Sequence, residues 1–297
     1  MIQPVELSLS SSEYELWREL IWQRSGLYFP EGRIRSLRQA LEERRRFLQI
    51  KNYAEYYQRV VHSVEGAAEW KNLLDLLLNH ETSFLRHQPS FEALSAYVLP
   101  QIIETRQKQG VEQLALWSAG CSSGQEAYSL AMAYLEYCAA VGFREALKPN
   151  LALQPGVSVF GSDISQRSLE KARAGRYRTH EVRFMPVHYR ERYMARIEDG
   201  GATFYWVREE VRALLKFNTF NLSAPDGSWP AGQDVIFCQN VLIYFKPDSR
   251  KEAVERLCQR LNPGGYLFLS PAEIVGVKLA GMQQVRLADT LIYQRLD

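Results

Sequence analysis

Two carboxylates and two asparagines stand where apolar runs end. Glu126 follows the loop from Gly120 to Gly124, which closes the run 114–117, and Asp163 closes the run 157–162. Asn221 and Asn240 follow the runs 216–220 and 235–238 in the same way. Glycine lets the backbone of such a loop approach a ligand closely, and the helix that starts after Gly124 offers unpaired amide N–H groups. The spacing is Gly-x-x-x-Gly, not the G-x-G-x-x-G of a dinucleotide loop, and Glu126 in the first turn would compete with a phosphate for those amides. A phosphate-free ligand with an amino group suits that carboxylate, and S-adenosylmethionine is such a ligand. A tight turn ahead of a core helix is the alternative use of the same glycines.

Asp163 ends the second run, where the second strand of a doubly wound sheet meets the ribose hydroxyls of a nucleoside. The other reading makes it the N-cap of a helix starting near Ser165. Asn221 with Leu222, and Asn240 with Val241 and Tyr244, fall at the carboxyl ends of the third and fourth strands, where ligands of such sheets sit; an asparagine there also serves simply as a turn residue.

These positions require alternating strands and helices. Strands over 114–117, 157–162, 216–220, 235–238 and 266–270, with helices between them, predict a mostly parallel sheet, and the last two runs, 284–287 and 291–294, predict an antiparallel hairpin around Ala288 and Asp289. A helix over 91–106 leads into the first strand. An insertion over 178–214 holds the runs 193–197 and 202–207 around Asp199-Gly200-Gly201, a β-hairpin that either covers the sheet or adds a peptide as an extra strand. Sequence does not say which of its strands is the outer one.

Residues 1–75 read as a separate helical domain and 76–297 as the catalytic one. Ser10 and Glu13 form a capping box, and Leu16, Trp17, Leu20 and Ile21 make an apolar stripe. A second helix over 33–51 carries Arg33, Arg35, Arg38, Arg44, Arg45, Arg46 and Lys51 against Glu42 and Glu43, either a solvated face or a docking surface for an acidic partner. Globally, 36 Lys and Arg against 34 Asp and Glu leave a net charge of +2, which argues against a nucleic-acid partner. The 4 cysteines lack metal-site spacing, so no metal is expected. No apolar run is long enough to span a membrane, and the chain starts without a basic-then-apolar leader, so a cytoplasmic protein is expected.

The runs WSAGCSSG at 117–124, GSDI at 161–164, LEKARAGRY at 169–177, CQNVLIYF at 238–245, LNPGGYLFL at 261–269 and ETSFLR at 81–86 together resemble the CheR family of chemoreceptor glutamate O-methyltransferases over nearly the whole chain. That resemblance implies a class I S-adenosylmethionine-dependent methyltransferase sheet, α/β, with a small all-helical N-terminal domain and the hairpin insertion. It implies a methyl-accepting receptor as partner, met through the receptor's cytoplasmic domain and, in some members, a C-terminal tail peptide at the inserted hairpin. A monomer is expected. The segment 79–89 would lie over the cofactor and contribute Thr82 and Arg86, although its bland reading makes Phe84 core and Arg86 surface. Gly120, Glu126, Asp163, Asn221, Leu222, Asn240 and Val241 complete the implied cofactor site, with Arg86 and Tyr244 as the catalytic pair. His80, Gln239 and Pro271-Ala272 depart from the family pattern. A small-molecule or RNA methyltransferase, and a non-catalytic regulator that binds cofactor and receptor, are the competing functions.

Overall fold

The structure, a computed structural model, describes residues 9–142, 156–224, 229–273, 279–287 and 289–296. The chain separates into two compact units, one of residues 1–79 with 244–249 and one of residues 80–243 with 250–297.

The first unit contains α1 (Ser11–Ser25), α2 (Ile34–Phe47), α3 (Tyr53–His62) and α4 (Gly66–Leu77). The Ser10–Glu13 capping box opens α1, Gly26 in the left-handed region closes it, and Asn52 caps α3. Trp17, Ile21, Leu37, Leu41, Tyr53 and Tyr56 form its core. The arginines of α2 are not a free basic face. Arg44 forks onto the buried Glu69 with Nε to Oε1 at 2.9 Å and Nη2 to Oε2 at 2.6 Å. Arg45 and Arg46 both pair with Glu42, and Arg33 lies over the rings of Phe29 and Tyr244. Among the described residues, Arg35 and Arg38 are the arginines of α2 left exposed without such an acidic partner. Hydrogen bonds from Arg45, Tyr53 and Arg46 outweigh the effect of burial and hold Glu42 down at about 2. Half of the predicted docking run is thus the internal wiring of the unit.

The second unit is built on α5 (Gln88–Ala93), α6 (Leu99–Lys108), β1 (Gln113–Ala119), α7 (Gln125–Ala140), β2 (Gly156–Asp163), α8 (Gln166–Ala174), β3 (Arg176–Arg178), α9 (Val187–Tyr193), β4 (Met194–Asp199), β5 (Ala202–Val207), α10 (Glu209–Arg212), β6 (Leu215–Thr219), β7 (Gln233–Cys238), α11 (Pro247–Arg260), β8 (Leu261–Leu269), β9 (Met282–Leu287) and β10 (Thr290–Arg295). Its main sheet has the order β6-β2-β1-β7-β8-β10-β9. All neighbours from β6 to β8 are parallel, and β10 runs antiparallel to both β8 and β9. The crossover on either side of β1 makes the switch point where β1 and β7 diverge, so the carboxyl ends of β1, β2 and β7 open onto one crevice. β7 is buried along its whole length, as a central parallel strand must be. Of the residues expected at the turn between β9 and β10, Ala288 lies outside the described residues.

The helix expected over 91–106 is interrupted. A wide turn over Leu94–Val98, in which Leu99 N–H reaches Leu94 O, separates α5 from α6. Pro100 has no N–H to give and its ring crowds the carbonyl of the preceding turn, so the ladder opens there. The inserted hairpin gains a third strand: β5 lies between β3 and β4, leaving β4 as an outer edge.

Candidate functional site

Three loops at the carboxyl ends of β1, β2 and β7 converge. After β1, Gly120 and Gly124 both take left-handed conformations, φ 88° and 92°, and between them Ser122 does so at φ 49° without being glycine. A Cβ on Gly120 would lie 2.3 Å from Cγ2 of Val241, so the first and third loops touch at a point that only glycine permits. Gly124 caps α7 without any side-chain hydrogen bond, which leaves the first amides of that helix to the loop.

Asp163 ties the first loop to the second. Its Oδ2 accepts from Ser122 N–H at 2.8 Å and its Oδ1 from Ser165 N–H at 2.9 Å. The unfavourable φ of Ser122 is held by the first of these bonds. The helix-cap reading falls to Ser165, whose hydroxyl accepts from Ser168 N–H at 3.0 Å.

Glu126 stands in the first turn of α7 and accepts from Ser118 Oγ at 2.7 Å. Burial pushes its carboxyl up to about 7, with the nearby Glu273 adding to the effect and Ser118 and Arg86 opposing it. A carboxyl poised there gains most from meeting a cation.

The segment 80–87 lies against these loops. Phe84 is buried and meets the Tyr177 ring edge-on at 5.0 Å, while Leu85, at φ 53°, donates its N–H to Ser129 Oγ at 3.0 Å. His80 Nδ1 is 2.9 Å from Ser168 Oγ, and Ser122 Oγ donates to His80 O at 3.5 Å. Phe84 as core is therefore correct, and it anchors a segment on which Thr82 is half-buried and Arg86 exposed, the latter donating to Glu81 O at 2.9 Å. Gln239 reaches the start of α5, donating to Ser90 Oγ at 2.9 Å; Ser90 Oγ is also 2.8 Å from His87 Nδ1.

Of the remaining candidates, Asn240 adopts φ 61° at the head of the turn that carries Val241. Asn221 bends back on itself, its Oδ1 accepting from Ser223 N–H at 2.9 Å and Ser223 Oγ at 2.8 Å, which is the turn role, and Leu222 beside it is buried. Tyr244 counts with the helical unit, where its carbonyl accepts from Tyr28 N–H at 2.8 Å. Sequence reasoning missed the supporting acceptors and donors: Ser118, Ser122 and above all Glu273. The first two lie inside the glycine-loop motif, but nothing in spacing pointed to Glu273. Among the described residues no cluster of His, Cys, Asp and Glu could hold a metal ion, and no helix is long and apolar enough to cross a membrane.

Comparison with known proteins settles the family. The profile described as CheR methyltransferase, SAM binding domain, matches residues 80–290, and CheR methyltransferase, all-alpha domain, matches 12–78. The chain belongs to the CheR methyltransferase family. It is 31% identical to chemotaxis protein methyltransferase 1 of Pseudomonas aeruginosa, over 97% of this chain and 99% of that protein. It is 30% identical to the chemotaxis protein methyltransferase of Escherichia coli, over 90% of this chain and 86% of that one. A chemotaxis methyltransferase of Pseudomonas putida shows 29% identity over 97% and 99%. The chain is thus an S-adenosylmethionine-dependent methyltransferase, and its residues fit that cofactor. The Gly120–Val241 contact allows close approach, Glu126 suits an ammonium group, and Asp163 stands at the end of β2 facing the same loop.

Proposed function

We propose that this chain methylates glutamate side chains of methyl-accepting chemoreceptors, giving glutamate methyl esters in a bacterial signalling pathway. The observation that carries the reading is Arg86, an exposed guanidinium near enough to Glu126 to favour its ionised form, on a chain whose relatives are chemotaxis methyltransferases. S-Adenosylmethionine, when bound, supplies a methyl group activated on sulfonium sulfur. A substrate glutamate, with a pKa of about 4.3, is already ionised at neutral pH and needs no general base. What the chain contributes is alignment and partial desolvation of that carboxylate.

Arg86 holds one carboxylate oxygen through its guanidinium and leaves the other to react. A single, exposed arginine suits this step, because charge is cancelled as the ester forms and a tighter clamp would favour the ground state. In the same reading Glu126 pairs with the amino group of the cofactor, Asp163 takes the ribose hydroxyls, Leu222 and Asn221 border the adenine, and Asn240, Val241 and Thr82 border the methionine end. Gly120 keeps the loop low enough for that contact.

The finer partner surface we assign is the outer edge of β4, to which a receptor tail segment would add as a strand. Arg208 N–H donates to Tyr193 O at 2.9 Å, so odd-numbered residues of β4 face β5 and even-numbered ones turn their N–H groups outward.

Incubation with methyl-labelled cofactor and receptor cytoplasmic domains tests the function. Label released from the receptor as methanol by mild base is expected; label that is absent, or stable to base, overturns the proposal.

A further inference from the structure

Glu273 is 1% exposed and lies in the short turn Pro271–Glu273 after β8, whose first residue is a proline with a preset φ. Its carboxylate accepts five hydrogen bonds. Oε1 takes Val241 N–H and Leu242 N–H, both at 2.7 Å, and Oε2 takes Asn240 N–H at 3.2 Å, Ser270 N–H at 2.8 Å and Ser270 Oγ at 2.6 Å. Three successive amides, beginning with that of the left-handed Asn240, form an anion-binding nest, and here the nest is filled by the protein's own carboxylate. The turn so held is the one whose Val241 packs on Gly120. Asn240 stands at φ 61°, a left-handed conformation that asparagine adopts more readily than most residues, and the bonds to Glu273 hold it there.

We infer that Glu273 is a positioning residue of the cofactor site, locking the turn 240–242 in its binding conformation before any ligand arrives. The inference rests on the cofactor reading of the site. A second buried carboxylate, on the strand that leads into the held turn, supplies the contrast. Asp234, at the opposite end of β7, accepts from Arg106 Nε at 2.7 Å, Ala115 N–H at 2.9 Å and Asn262 Nδ2 at 2.9 Å, and touches none of the ligand loops. It does for the fold what Glu273 does for the site.

Glu273→Gln keeps the shape but places a donor against donors. Titration calorimetry with S-adenosylhomocysteine should show at least a tenfold higher Kd, and ligand-free hydrogen exchange should quicken at the amides of 240–242. Asp234→Asn should lower the Tm while leaving that Kd unchanged. A third signature is one that a scaffold role would not give. Glu126 faces Glu273 together with Arg86 and the thiols of Cys121 and Cys238, so loss of the Glu273 charge should move the pH at which affinity falls toward acid. Ser270→Ala, which removes one of the five donors, should raise Kd about threefold and serves as the decisive variant if Glu273→Gln does not fold. Failure of the parent to bind S-adenosylhomocysteine would strike the cofactor reading alone, because the exchange arm needs no ligand. Unchanged protection at 240–242 in the folded variant, or an affinity loss matched by Asp234→Asn, overturns the inference.

Discussion

Glu69 of the helical unit is buried and Glu126 beside the glycine loop is part-buried, both at helical positions, and their surroundings treat them in opposite ways. Glu69 receives both arms of Arg44 and the hydroxyl of Tyr56 at 2.7 Å, and these bonds outweigh burial and hold its carboxyl below the usual range. Glu126 has Ser118 as its hydrogen-bond donor among the described residues and is pushed up to about 7 by burial. A carboxylate surrounded by protein donors holds a fold together. One left short of positive charge carries a cost in the ligand-free protein that a cationic ligand relieves. The difference separates scaffold from site without reference to any motif.

Breaking the scaffold member should give the largest effect. Arg44→Ala leaves Glu69 enclosed without its cation, and urea unfolding should show a loss of about 3–5 kcal/mol, the range for breaking one side of a buried pair. Reversing Arg44, Arg45 and Arg46 together to Glu should abolish folding of the helical unit, so a test of receptor docking on α2 must use Arg35 and Arg38 instead. A loss under about 1 kcal/mol for Arg44→Ala would place Glu69 with the surface pairs.

On the site side, Arg86→Ala should reduce kcat with receptor by about a hundredfold or more, the scale of misplacing a reacting group, with little change in Tm because the side chain is exposed. Lysine should restore little, since a point charge does not reproduce the guanidinium fork. Near-parental turnover in Arg86→Ala would remove Arg86 from the reaction. Asp163→Ala should weaken S-adenosylhomocysteine binding by about 1.5–3 kcal/mol, the scale of hydrogen bonds to a charged group. Because Asp163 also fixes Ser122 and Ser165, this variant should lose thermal stability as well, and a drop in Tm with unchanged affinity would make it scaffold only.

Glu126→Gln sharpens the comparison through pH. The folded carboxyl at about 7 lies above its unfolded value, so the folded state binds the extra proton; the resulting instability is absent at low pH and grows as pH rises from about 4.5 through 7. Above pH 7 the glutamine variant should therefore be the more stable protein and the weaker binder. The parent's affinity for S-adenosylhomocysteine should fall as pH drops below about 7, by up to tenfold per unit, and the variant's should stay flat. Parallel profiles for the two proteins would separate Glu126 from the amino group of the ligand.

The succession of strands along the chain, the glycine loop and the position of Asp163 at a strand end were legible because apolar runs and glycines are local signals of what the backbone does. The wiring was not. Nothing near Arg44 in sequence announces Glu69, 25 residues away, so a run of arginines reads as a surface although the fold turns half of it inward. Glu273 and the Asn240 turn are likewise 33 residues apart and meet only across β7 and β8. The third strand of the insertion escaped because Arg176–Arg178 is three residues long, too short for alternation to show.

That third strand changes the smallest prediction. With β3 and β4 flanking it, β5 is interior, so proline at Thr203 would damage the small sheet itself and say nothing about docking. Ala195 pairs with Trp206 at an odd-numbered position of β4, where N–H groups point toward β5, and proline there would break the inner ladder. Arg196 is the informative position, because its N–H turns outward and proline removes only what an added strand would use. Arg196→Pro should weaken binding of a receptor tail peptide by about 1 kcal/mol, one hydrogen bond's worth plus the crowding of its ring, with S-adenosylhomocysteine affinity retained. Arg196→Ala controls for the lost charge. Equal peptide affinity for the two variants would mean that receptor segments do not pair with β4 and that the small sheet meets them through side chains.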